Sequence, residues 1–246
     1  MISSLATILL YALPGVAMLI AGGAAAAFWK TGPVLRSMLQ HFAAGMVFAV
    51  VAVEMLPQVR QDASPLWISV GFTLGVIAML GLRWLGGEDA AGENAKDGNA
   101  GRSSVGLLGA MTVDVFVDGL LLGAGFAVGG KEGLLLASAL AGELLCLGLT
   151  TSATLVQMSG RPRWKAIATT AAIAIPFLIG SLLGASLLQG VSGNVLGAVL
   201  SFGCAALLYL VTEELLVEAH EAPHTAVAAA MFFAGFQFFL ILGMFE

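Results

Sequence analysis

Two aspartates four residues apart, Asp114 and Asp118, and a glutamate, Glu143, stand inside stretches that are otherwise apolar. On a helix, the i, i+4 spacing puts both aspartates on one face, with side chains about 5 to 6 Å apart. Glu143 falls near the middle of the next apolar run, and the Gly129-Gly-Lys-Glu132 turn is short enough to make the two runs antiparallel neighbours. An acidic side chain at the centre of a bilayer costs at least about 2.5 kcal/mol and usually marks an ion path or a proton relay. Three carboxylates converging at that depth invite a cation between them. The plainer alternative is that one carboxyl stays protonated and hydrogen-bonds across helices.

Other groups extend or qualify this chemistry. Met111 lies three residues before Asp114, and Cys146 lies three residues after Glu143. Each could add a sulfur that favours softer metals, although both residue types commonly do no more than pack. Gln237, near the middle of the last apolar run, reads as glue between helices. All the histidines, His41, His220 and His224, fall towards one membrane side together with Glu213, Glu214, Glu218 and Glu221. That cluster could accept a metal leaving the membrane. For Glu218 and Glu221 a solvated helix end is the better reading, whereas Glu214, one turn further in, reads as functional. The only two cysteines, Cys146 and Cys204, lie in separate apolar runs, so no disulfide is expected.

These groups need elements to carry them, and composition says which. Of 246 residues, 59% are hydrophobic and 10% are charged, against about 25% charged in a soluble domain. The mean hydropathy of +0.98 agrees, and the 32 glycines suit closely packed membrane helices. A bilayer core takes about 20 helical residues. Eight runs meet that length: Leu5 to Trp29, Val34 to Pro57, Leu66 to Leu85, Val105 to Val128, Gly133 to Met158, Trp164 to Gln189, Asn194 to Glu218 and Thr225 to Phe245. The first lacks a basic start and exceeds a signal-peptide core, so it counts as a span. Residues 86–104 are polar and glycine-rich, the composition of a flexible loop.

Basic residues orient the chain, because basic loops are retained in the cytoplasm. Lys30, Arg36, Arg83, Lys96, Arg102, Arg161, Arg163 and Lys165 flank one set of loops, and only Arg60 and Lys131 the other. Both termini are therefore expected outside, with the 86–104 loop in the cytoplasm and the protein in the cell (inner) membrane.

An internal likeness accompanies this topology. The run from His41 to Leu56 matches the run from Ser201 to Leu216 at an offset of 160, pairing Phe42 with Phe202, Val51 with Val211, Glu54 with Glu214 and Leu56 with Leu216. These two spans run in opposite directions, and inverted repeats mark many secondary transporters. The expected fold is all-α: one polytopic membrane domain over residues 1–246, with eight transmembrane helices, helices 1–3 and 6–8 as the inverted repeat and helices 4–5 central. Small-residue pairs at Gly71 and Gly75, Gly119 and Gly123, Gly180 and Gly184, and Gly193 and Gly197 would let helices approach closely. Such faces would also permit a homodimer.

Several classes fall away. His220-Glu221-Ala222-Pro223-His224 spells a zinc-protease motif, yet that motif needs one continuous helix and Pro223 interrupts it. There is no Gly-x-Ser-x-Gly and no phosphate-binding Gly-rich loop, so an enzyme is not expected. A net charge of -5 without a basic stripe gives nucleic acid nothing to bind.

The residues resemble the ZIP family of divalent metal transporters, in particular its GufA-like bacterial branch, over most of the chain. Asp114-Val-Phe-Val-Asp118-Gly119 resembles the family's His-Asn-x-Pro-Glu-Gly, with Asp114 at the histidine and Asp118 at the glutamate. Phe42-Ala-Ala-Gly-Met46 through Leu56-Pro57 resembles the family's Phe-Ala-Ala-Gly opening and Leu-Pro ending. Tyr209-Leu-Val-Thr-Glu213-Glu214-Leu215 through Glu218-Ala219-His220 is similar to Tyr-Val-Val-x-Asp-Glu-Leu-x-Pro-Glu-Ala-His. The resemblance implies eight helices, extracytoplasmic termini and metal sites between helices 4 and 5. The chain departs from the pattern at Leu147, where the family's second acid of helix 5 would stand, and at Ile175 before Pro176. It has no histidine at the midplane and no histidine-rich loop.

The expected function is transport of a divalent cation such as Zn²⁺, Mn²⁺ or Fe²⁺ into the cytoplasm. The expected metal-binding residues are Asp114, Asp118 and Glu143 at the midplane and Glu214, His41 and His220 at the inner exit, with Glu54 at the outer mouth. A site made mainly of carboxylates favours harder cations, Mn²⁺, Fe²⁺ or Mg²⁺, over strict zinc preference. The metal is substrate, and no permanent cofactor is expected; the lipid bilayer is the other partner. Two alternatives stay open: a carrier of another solute on the same fold, and a non-transporting metal sensor or scaffold.

Overall fold

The computed structural model describes residues 2–29, 32–86, 100–157, 162–188, 190–191, 193–220 and 226–244. Among them every regular element is helical. In chain order they are α1 (Ile2–Phe28), α2 (Pro33–Val50), a π turn (Val51–Met55), α3 (Leu56–Asp62), α4 (Pro65–Gly86), α5 (Ala100–Val128), α6 (Gly130–Gln157), α7 (Arg163–Leu188), α8 (Asn194–Tyr209), a second π turn (Leu210–Leu215), α9 (Leu216–His220) and α10 (Ala226–Met244).

The long helices follow from apolar runs with terminal signals. Pro33 opens α2 behind an extended Gly32, and Pro65 opens α4, since proline at a first position gives up only an amide that the helix leaves unpaired. Pro14 in α1 and Pro176 in α7 lie inside unbroken helices, as membrane helices tolerate. Among the described residues, seven helices are long and apolar enough to cross a membrane: Ala6–Phe28, Val34–Gln61, Pro65–Trp84, Gly133–Val156, Arg163–Leu188, Asn194–Leu215 and Ala226–Met244. The remaining long helix, α5, has 29 residues and carries Asp114 and Asp118. Residues 87–99 of the expected loop lie outside the described residues. Ala100–Ser104, placed in that loop by its composition, belong to α5 instead, because nothing in Ala-Gly-Arg-Ser-Ser stops a helix extending from the apolar run beyond it.

Helices α1, α5, α6 and α7 pack against one another; α2 pairs with α10 and α4 with α8. Glycines make these contacts close. A Cβ at Gly119 would meet the Phe177 carbonyl oxygen, and one at Gly180 the Phe116 oxygen, so α5 and α7 touch backbone to backbone. Gly22 and Gly148 do the same between α1 and α6, Gly45 and Gly235 between α2 and α10, and Gly71 and Gly75 do so for α4 on α8. Three of the four glycine pairs read as close-packing faces thus meet helices of their own chain; in the fourth, Gly197 faces Ala63 in the turn before α4. Gly193 has φ +64 and open space around it, so it shapes the turn before α8 rather than a packed face.

The two π turns interrupt the continuous helices 33–62 and 194–220. Leu56 N–H donates to the Val51 oxygen, and Leu216 N–H donates to the Val211 oxygen. Each bond spans five residues, and the two stand at the offset of 160 seen in the sequence.

Candidate metal centre

The carboxylates are brought in by a helical hairpin. Helix α5 ends at Val128 and α6 begins at Gly130, a reversal made by the glycines at 129 and 130, and the two helices pack together. Asp114 and Asp118 project from α5 and Glu143 from α6. One ligand oxygen from each lies within 4.8 Å of the other two. Their side chains are buried, at 8%, 2% and 3% exposure. Asp118 Oδ2 and Glu143 Oε2 are buried and meet no donor, although the two carboxyls are close enough to hydrogen-bond to each other when one carries a proton. Two unsatisfied carboxylate oxygens in an apolar interior are costly unless a cation or proton meets them.

Glu214, on the second π turn, is half-buried and lies within electrostatic reach of both Asp118 and Glu143. The sequence puts it at the inner exit; the structure couples it to the buried acids as well. Glu54, on the first π turn, lines a small cavity with Val50, Met55, Gln58, Gly125, Leu136 and Leu200.

His41 and His220 form a second locus, separate from the acid group. Their ring centroids are 5.3 Å apart. His41 is buried, and its Nδ1 lies 2.8 Å from the Ser37 carbonyl oxygen. A carbonyl only accepts, so Nδ1–H donates and Nε2 keeps the lone pair in the neutral ring. His220 Nδ1 donates likewise to the Leu216 oxygen. Ser37 Oγ–H donates to the Ala219 oxygen at 2.7 Å, holding α2 against α9 beside the two rings. His224 and Glu221 lie outside the described residues, as does the side chain of Glu218.

Cys146 is buried and stands outside the three-carboxylate group. Met111 Sδ accepts a hydrogen bond from Thr151 Oγ1 at 3.3 Å. Cys204 is also buried, and the two thiols form no disulfide. Gln237 is exposed, and this corrects its reading as interhelical glue. The buried stripe of α10 is Ala228, Gly235 and Phe239, and position 237 falls on the opposite side of that helix.

Two further contacts were not read from the sequence. Thr151 belongs to Thr150-Thr151-Ser152, a buried hydroxyl run in an apolar helix, and that run was the available signal. Arg83 Nη1 pairs with Glu213 Oε2 at 2.9 Å and lies 3.4 Å from the Tyr209 hydroxyl. Opposite charges near the same end of two expected spans were the hint there. No protein-family model and no curated protein matches this chain.

Proposed function

We propose that the protein is a divalent metal ion transporter of the ZIP type, moving a cation such as Zn²⁺, Mn²⁺ or Fe²⁺ into the cytoplasm through the Asp114, Asp118 and Glu143 centre. One observation carries the reading: three acidic side chains, each at least nine-tenths buried among helices of membrane-crossing length, converge within 4.8 Å with two oxygens unsatisfied. Structural acids at such depth pair with a cation or with donors. With all three ionised, one bound divalent ion leaves a net charge of -1. A carboxylate-only set suits Mn²⁺, Fe²⁺ or Mg²⁺ at least as well as zinc.

The proposal extends to topology. Eight helices cross the inner membrane with both termini extracytoplasmic, α5 being the fourth, and the first three and last three form an inverted repeat. The paired π turns support the repeat. So do the matching helix pairs, α1 on α6 beside α7 on α5, and α2 on α10 beside α8 on α4. Glu54 serves the outer mouth and its counterpart Glu214 the inner side, where the paired His41 and His220 rings receive a departing metal. Alternating access then exposes the buried acids to each face in turn, by movement of one helix group against the other.

The test is uptake of Mn²⁺, Fe²⁺, Zn²⁺ and Mg²⁺ into proteoliposomes, with wild type beside Asp114→Asn and Asp118→Asn. Flux in the wild type that both folded variants lose is the expected result. No divalent flux through the wild type overturns the reading.

A further inference from the structure

The buried acids leave one question of selectivity that a neighbouring contact answers. Two sulfur atoms lie one helical turn from the carboxylates in sequence, and a thioether ligand would draw the site towards softer metals. Cys146 stays outside the oxygen group. Met111, three residues before Asp114, is buried at 9% exposure, and its sulfur is 3.3 Å from the Thr151 hydroxyl. Thr151 is itself buried at 2% exposure.

The direction of that contact matters. Thr151 follows Glu143 by eight residues on α6, about 12 Å along the axis. Helical side chains lean towards the N-terminus of their own helix, Glu143 and Thr151 alike, so that axial separation persists between the two side chains. Met111 is displaced from Asp114 towards the same end of the hairpin, because α5 and α6 run in opposite directions. A sulfur turned to Thr151 is therefore turned away from the carboxylates. The same lean favours this direction for Met111, but three rotatable bonds still let a methionine sulfur reach back towards Asp114 once nothing holds it.

We propose that Thr151 is a selectivity-determining positioning residue: its hydroxyl holds the Met111 thioether off the Asp114, Asp118 and Glu143 centre, keeping that centre all-oxygen and biased against thiophilic cations such as Cd²⁺. The proposal rests on the reading of those three acids as the cation site. Removing the hydroxyl frees the sulfur to enter the coordination sphere.

The experiment measures Mn²⁺ and Cd²⁺ affinity by calorimetry on the full chain in nanodiscs, for wild type, Thr151→Val, Thr151→Ser and the double variant Thr151→Val with Met111→Leu. Thr151→Val is expected to raise the Cd²⁺ to Mn²⁺ affinity ratio by about tenfold, in the range seen when groups orienting a metal ligand are changed. Thr151→Ser keeps a hydroxyl and the wild-type ratio, and the double variant returns to it. Cadmium X-ray absorption on Thr151→Val shows a sulfur neighbour that the wild type lacks. An unchanged ratio, or no sulfur neighbour, in a Thr151→Val protein that still binds Mn²⁺ overturns the proposal. Metal binding without flux in proteoliposomes sinks the transport reading and leaves this one standing. A wild type that binds neither metal sinks both.

Discussion

Arg83 and Glu213 face one another at 2.9 Å, joining α4 to the second π turn one residue away from Glu214. Both side chains are more than a third exposed, and exposed pairs contribute about 0 to 1 kcal/mol. Glu213→Gln is therefore expected to lower thermal stability only slightly and to leave metal affinity unchanged, because Glu213 lies outside the acid group. A large loss of Mn²⁺ affinity in a stable Glu213→Gln protein would show that the pair sets the position of Glu214.

At the proposed centre metal and protons would compete for the same oxygens, since carboxylate ligands must be deprotonated to bind. Mn²⁺ affinity is expected to fall as the pH is lowered, and binding is expected to release protons. Calorimetry in buffers of different ionisation enthalpy reads that release directly. A heat of binding independent of buffer would contradict it.

Gly119 sits where an added Cβ would strike the Phe177 carbonyl oxygen and the Ser181 amide nitrogen. These are backbone atoms and cannot swing aside. Gly119→Val should cost about 1 to 3 kcal/mol by overpacking and should disturb the neighbouring Asp118. Thermal unfolding with and without Mn²⁺ separates the two effects: lower stability with full metal stabilisation means that packing alone has suffered.

A π turn carries one residue more than an α-helical path between the same ends needs, and such insertions are often found at functional sites. Deleting Ala52 should let 33–62 run as continuous α-helix while Glu54 leaves its cavity. The expected result is unchanged helicity by circular dichroism with reduced uptake. Undiminished uptake would remove any functional part for this turn.

How much of this was legible in the sequence depends on length scale. The long helices were readable because about 20 apolar residues leave few alternatives, and helix limits moved by only a few residues, as where 194–220 extends past Glu218. Asp114, Asp118 and Glu143 stood out because acids are rare in such runs, and a four-residue spacing fixes their common face. The π turns were hidden, since Val51–Met55 and Leu210–Leu215 have no composition that distinguishes an inserted residue from ordinary helix. The direction of Met111 was hidden too. Spacing put its sulfur within reach of Asp114, but side-chain torsions gave it to Thr151. Gln237 went astray because depth along α10 was legible and the direction it faces was not.

The hairpin of α5 and α6 holds all three acids within one short stretch of chain, from Asp114 to Glu143. In the proposed topology these two helices reach the bilayer together during synthesis, and every buried acid of the centre arrives with them. Each acid opposes insertion by about 2.5 kcal/mol or more, while the leucines around them favour it. The hairpin is thus the part of the chain whose partition into lipid depends most on what neutralises it. Divalent ions or acidic conditions present at that moment would act on biogenesis as well as on the finished protein.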